Sequence, residues 1–137
     1  MNLKFKVLEG GTLPTRAHRE DAGFDLYSPV DVVMYDDTNI IRLGVCVKIP
    51  KGYVGFIMGR SSLNKKGVIC LTGVIDSGYT GEIAVVLNAV DACINIKKGD
   101  RIAQLVVAKL ADINDAVAVD SLEDSERGAG GFGSTGA

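Results

Sequence analysis

Asp76 stands where an apolar run meets a glycine-containing turn, in Gly73-Val74-Ile75-Asp76-Ser77-Gly78-Tyr79-Thr80-Gly81-Glu82. A carboxylate held at a strand end by a tight hairpin can take a proton from water as a general base; the same position also suits a turn aspartate closing an Asx hydrogen bond. Tyr79 offers a ring that can stack on a sugar or simply cover the hairpin. Gly59-Arg60-Ser61-Ser62-Leu63 follows an apolar run, and hydroxyls with N–H groups at a helix start either bind an anion or act as a plain cap. Gln104 shares an alternating face with Ile102, Val106 and Ala108, and a buried amide there needs a partner, whether backbone, a water or a phosphate. Asp25, in Ala22-Gly23-Phe24-Asp25-Leu26, is a further carboxylate that follows a loop.

The last residues carry a different kind of chemistry. After Arg127 the chain reads Gly128-Ala129-Gly130-Gly131-Phe132-Gly133-Ser134-Thr135-Gly136-Ala137. The G-x-G-x-x-G spacing requires a strand before it and a helix after it to bind a dinucleotide, and neither is expected here; a phosphate loop would need a lysine that is absent. What remains is the physics of such a segment. Glycines let backbone N–H groups approach phosphate oxygens closely, Arg127 brings a planar guanidinium, Phe132 offers a face for a base, and Ser134 and Thr135 supply hydroxyls. Composition alone equally describes a frayed terminus.

The elements that must position these residues read as strands. Ile41, Leu43, Val45, Val47 and Ile49 alternate with Arg42, Gly44, Cys46 and Lys48. Val54, Phe56 and Met58 alternate with Tyr53, Gly55 and Ile57, and Ile83, Val85 and Leu87 continue the pattern, as do Ile94 and Ile96 and the run from Ile102 to Lys109. Turn signals such as Pro50-Lys51-Gly52 and Lys98-Gly99-Asp100 separate them. Short strands at this spacing predict an all-β sandwich, jelly roll or small barrel, with one short helix at Ser61 to Lys66 capped by Ser61 or Ser62. The 137 residues give one domain, divided into a core over 1–111, an acidic linker over 112–126 and a glycine-rich arm over 127–137.

Composition narrows the partners. A net charge of −2 provides no basic field for nucleic acid or an anionic membrane, and no apolar run is long enough to span one. The single histidine, His18, sits among charged residues and reads as a surface group, which rules out a multi-histidine metal site. Any Mg²⁺ would be held largely by substrate phosphates and water. Cys46, Cys70 and Cys93 are odd in number, lack C-x-x-C spacing and lie among aliphatic residues, so they read as buried free thiols of a reducing compartment. Met1 to Val7 alternates polar and apolar, unlike a signal peptide. The expected location is cytoplasmic, or nuclear or virion-associated for a viral chain, and not secreted.

Taken in order, the clusters resemble the five motifs of the homotrimeric dUTPases: Ala22 to Leu26, Arg60-Ser61-Ser62, Gly73 to Gly81, Gly99-Asp100-Arg101-Ile102-Ala103-Gln104-Leu105, and Arg127 to Gly136. The resemblance implies a jelly roll assembled as a homotrimer with sites between subunits, converting dUTP and water to dUMP and pyrophosphate with Mg²⁺ on the triphosphate. It implies that Asp76 activates the attacking water and that Gln104 contacts the α-phosphate or that water. The backbone of Gly73, Val74 and Ile75 would read uracil, with Tyr79 under the deoxyribose. Arg60, Ser61 and Ser62 would hold the phosphates, and Asp25 would reach the metal only through water. Arg127, Gly133, Ser134 and Thr135 would clamp the terminal phosphate, and Phe132 would cover the base. Ser62 stands where most members have glycine, Gly59 where many have proline and Gly78 at an often acidic position; the asparagine many carry near Cys70 to Thr72 is absent. The rival readings are a dCTP deaminase of the same superfamily and a non-catalytic regulator built on the same trimer. An intact Asp76 and a complete tail favour the hydrolase.

Overall fold

The computed structural model describes every residue except Ala92, Thr135 and Ala137. Among the described residues, ten strands and one short helix follow in order: β1 Lys4–Val7, β2 Gly23–Tyr27, β3 Val32–Tyr35, β4 Thr38–Lys48, β5 Tyr53–Met58, α1 Ser61–Asn64, β6 Val68–Leu71, β7 Gly73–Ile75, β8 Glu82–Ala89, β9 Cys93–Ile96 and β10 Arg101–Lys109. They form two four-stranded sheets, ordered β1-β4-β8-β6 and β2-β10-β5-β7, with β3 and β9 as a separate pair. Every named pairing is antiparallel, as expected of a jelly roll.

Alternation produces this sandwich because each sheet turns one face inward. Ile41, Leu43, Val45 and Val47 on β4 meet Ile83, Val85, Leu87 and Ala89 on β8, all buried, while Leu26, Ile57, Ile75, Ala103 and Leu105 come from the other sheet. Gly44 departs from the alternation and is buried as well. Its φ of +68° accompanies a break in the β4–β8 register between Arg42 and Cys46. Its N–H donates to Glu82 Oε1 at 2.9 Å, and a Cβ there would lie 2.7 Å from Gly11 Cα. Gly44→Ala should therefore cost about 2 kcal/mol or more, combining left-handed strain with a backbone clash. Thermal unfolding at matched protein concentration would show the loss.

Three expectations change. The serines do not cap α1: its cap position is Arg60, with no side-chain capping bond, because Arg60 is extended and the helix begins at Ser61. The turn carrying Asp76 is no hairpin, since β7 pairs with β5 whereas β8 pairs with β4 and β6. The chain crosses there from one sheet to the other. Cys46 and Cys70 are only half-buried and Cys93 is exposed, at the start of β9, where Ile96 is the residue that reaches the core; all three thiols are free. Burial raises the pKa of the Cys70 thiol. From residue 111 onward the described chain forms no strand or helix and is exposed except at Gly130.

Candidate active site

A bulge decides which way Gln104 points. Between Arg101 and Ala103 β10 takes two steps for one on β2, making Ile102 the extra residue. Ile102, Ala103 and Leu105 are all buried, and Gln104 turns to the opposite face from the core. The simple alternation that groups it with Ile102 therefore breaks at this point. Gln104 now lies directly across from Asp25 on β2 and Met58 on β5. Its Nε2 donates to the Gly59 carbonyl at 2.8 Å. Its Oε1 lies over Gly23, where an added Cβ would come within 2.6 Å.

This row borders a cavity of about 350 Å³ lined by Asp21, Gly23, Asp25, Arg60, Ser61, Ser62, Arg101 and Gln104, among others. Asp25 is pinned by its own N–H, which donates to the Thr15 carbonyl at 2.7 Å. Its carboxylate meets Arg60 Nε at 2.9 Å and Arg101 Nη1 at 3.3 Å. The serines flank this charged corner at the start of α1, free of capping duty. Hydroxyls, an amide donor and guanidinium groups around one space have the chemistry to receive phosphate oxygens.

The second cavity, of about 330 Å³, is lined by Gly73, Val74, Ile75, Asp76 and Tyr79, with Arg42, Ile57, Glu82, Ile83 and Ala84. Because β7 is the outermost strand of its sheet, the backbone groups on its free side have no ladder partner. At its end the Tyr79 N–H donates to the Asp76 carbonyl at 3.0 Å, closing the turn. Lys48 Nζ donates to the Ser77 carbonyl at 3.0 Å, and Tyr79 O–H donates to the Glu82 carbonyl at 2.8 Å. The Asp76 carboxyl is thereby carried on a turn tied at three points, beside an exposed aromatic ring.

The two cavities share no lining residue. Ile75 pairs with Gly55 and Gln104 with Met58, on opposite sides of β5. Counting about 3.3 Å per residue along β5 and about 4.8 Å per strand across it, the Asp76 and Gln104 backbones lie roughly 16 Å apart. Gln104 also turns its amide away, onto Gly59. Within one chain, then, the phosphate corner and the Asp76 corner are separate. Arg127, Phe132, Gly133 and Ser134 border neither cavity. The arm's hydrogen bonds are local, such as Arg127 Nε to the Gly130 carbonyl at 2.9 Å, and the Phe132 ring is fully exposed. Thr135 lies outside the described residues.

Sequence reasoning left Arg101, Arg42 and Lys48 out of the site. Arg101 is signalled by its place beside Asp100 in the turn before β10; nothing in the spacing of Arg42 or Lys48 announces the Asp76 corner. Among the described residues there is no group of three His, Cys, Asp or Glu side chains placed to hold a metal. The oxygen donors of Asp25, Ser61, Ser62 and Gln104 nevertheless fit a hard cation that arrives with its own phosphate and water ligands.

Comparison with known proteins agrees with this geometry. The profile of the dUTPase family matches residues 9–136. The deoxyuridine 5'-triphosphate nucleotidohydrolase of Candida glabrata is 42% identical over 131 residues, covering 93% of this chain and 91% of the relative. That of Paramecium bursaria Chlorella virus 1 is 43% identical over 134 residues, covering 96% and 94%. Among solved structures, the Staphylococcus bacteriophage 80alpha dUTPase with dUpNHpp superposes with a TM-score of 0.90 at 32% identity over 99% of both chains. A mutant dUTPase from phage phi11 of S. aureus, described with a structural Mg(II) ion, gives 0.80 at 28% identity, over 90% of this chain and 100% of that one. With the profile running through all five clusters, from the phosphate corner to the glycine-rich arm, the chain belongs to the dUTPase family.

Proposed function

We infer that the protein hydrolyses dUTP to dUMP and pyrophosphate, lowering the dUTP-to-dTTP ratio and supplying dUMP for dTMP synthesis. The observation that carries this is the Asp76 corner, where an open strand edge able to read a base ends in a carboxylate able to activate water. Uracil presents an acceptor, a donor and an acceptor along one edge, which the free N–H and C=O groups of Gly73, Val74 and Ile75 can match. Close backbone also leaves no room for the thymine methyl, and a steric clash discriminates further than a lost contact. Tyr79 lies under the deoxyribose and crowds a 2′-hydroxyl.

In the reaction, Asp76 takes a proton from water as the water oxygen bonds to the α-phosphorus, and the bond from that phosphorus to the bridging oxygen of pyrophosphate breaks. Gln104 orients the α-phosphate or the water. Arg60, Ser61 and Ser62 hold the phosphate chain, and Arg127, Gly133, Ser134 and Thr135 clamp its far end while Phe132 covers the base. Asp25 would reach a Mg²⁺ ion carried by the substrate through water, and that ion would supply neutralisation of phosphate charge; the carboxylate keeps acceptor capacity for this beyond its two arginine contacts.

The roughly 16 Å between the Asp76 and Gln104 backbones supports sites shared between subunits, because attack needs reacting atoms about 3–3.5 Å apart. A homotrimer in which one chain lends Asp76 and a neighbour lends Ser61 and Gln104 brings both to one phosphorus. The free thiols accord with a reducing compartment, cytoplasmic or, for a viral chain, nuclear or virion-associated.

Purified protein given dUTP and Mg²⁺ should release pyrophosphate and dUMP without ammonia, and should act far more slowly on dTTP. Ammonia release would indicate a deaminase, and the absence of both products a binding protein. Sedimentation should give three times the chain mass.

A further inference from the structure

We propose that Asp25 is a positioning residue that couples Arg60 and Arg101 into a single phosphate-facing pair, a role independent of any metal; it rests on the reading of this corner as the triphosphate site. Two guanidinium groups brought to one corner repel each other and, left alone, would swing into water. Asp25 prevents this with both oxygens: Oδ1 lies 2.9 Å from Arg60 Nε and Oδ2 3.3 Å from Arg101 Nη1. The carboxylate is 16% exposed and the Arg60 side chain 22%, so this pair is shielded from solvent, whereas Arg101 is 51% exposed and owes its orientation chiefly to Asp25.

The backbone leaves the carboxylate little freedom. Asp25 is locked into β2, opposite Gln104 on one side and bridged to Thr15 on the other. Each guanidinium has five N–H donors, so one contact to Asp25 leaves most of them free. The trio carries one net positive charge and borders the same cavity as Ser61, Ser62 and Gln104. Arg60 Nη1 also donates to the Arg101 carbonyl at 3.5 Å, which ties the end of β5 to the start of β10. Without Asp25 the donors would have to be collected from solvent each time a triphosphate binds, and that ordering cost would appear as weaker binding.

The test is titration of dUpNHpp into the wild type and Asp25→Asn, each with Mg²⁺ and with EDTA, alongside kcat and KM for dUTP. A positioning role predicts binding weakened by about tenfold in both buffers and a KM that rises more than kcat falls. A loss confined to the Mg²⁺ buffer would assign Asp25 to the metal and overturn the proposal. Arg101→Met supplies the second arm, leaving the Asp25–Arg60 pair in place. It should weaken dUpNHpp by a similar factor, and adding Asp25→Asn should then cost much less than the tenfold it costs alone. Unchanged binding in Arg101→Met, or fully multiplicative losses, would overturn it, and the first of these can be read even if Asp25→Asn does not fold. A wild type that releases no pyrophosphate from dUTP would instead sink the underlying functional reading, so the two failures are distinct.

Discussion

Asp76→Asn should lower kcat for dUTP by about a thousandfold while leaving dUpNHpp binding within a factor of about three, since a positioned general base contributes roughly 10²–10⁴ and the amide keeps the shape of the carboxyl. The turn should survive, because it is closed by the Tyr79 N–H on the Asp76 carbonyl and by Lys48 on the Ser77 carbonyl, neither of which uses the carboxyl. Pyrophosphate release in steady state, with dUpNHpp titration as the control, separates the two effects. Full turnover in Asp76→Asn would remove Asp76 from the chemistry. The side chain is exposed in the single chain, where bulk water competes for it. A base of this kind works best when neighbouring groups cover it and exclude that water.

The covering segment leads to the second expectation. Deleting residues 127–137 should leave the β-sandwich and its assembly intact, with an unchanged unfolding temperature, yet reduce kcat for dUTP by about a thousandfold. The core does not rely on these residues: among the described residues their hydrogen bonds, such as Arg127 Nε to Gly130 and the Ser134 N–H to the Gly131 carbonyl at 3.1 Å, stay within the arm or reach only Ser125 in the linker. Phe132 is fully exposed, a large ring with no apolar partner among the described residues of its own chain. On the proposed mechanism, the deletion removes the guanidinium that would offset charge developing on the phosphates and the closure that would hold a flexible triphosphate in line. Turnover that survived the deletion would show that Arg127 and Phe132 do not close on substrate, whereas a drop in unfolding temperature would show that the arm serves the fold.

Most of the architecture was legible because alternation is a direct record of burial: Ile41, Leu43, Val45, Val47, Ile83, Val85 and Leu87 lie in the core as their spacing requires. What failed was whatever depends on strand partners. Nothing in the residues from Gly73 to Glu82 says that β7 and β8 join different sheets, because pairing is decided across the sandwich and a turn that closes a hairpin can equally mark a crossing. The inward side of β10 was misread at one residue, since a bulge at Ile102 adds a step that period-two counting cannot see. The candidate site was legible as a set of clusters, Asp76, Ser61 and Gln104 included, but not as a geometry. That Asp25 takes hold of two arginines 35 and 76 residues away along the chain is a product of β2 lying against β10 and beside the end of β5.

The placement of the Asp76 corner and the phosphate corner in separate cavities also affects how damage spreads through a mixed population. Under the proposed sharing of sites between subunits, a defect would belong to a junction and not to a chain. One chain lacking Asp76 and another lacking Ser61 should each be inert when pure, yet each would carry the half that the other has lost. Co-assembled at random in equal amounts, they would leave about a quarter of the junctions whole. Two inactivated forms of this protein could thus restore one another, and no single copy could be credited with the activity.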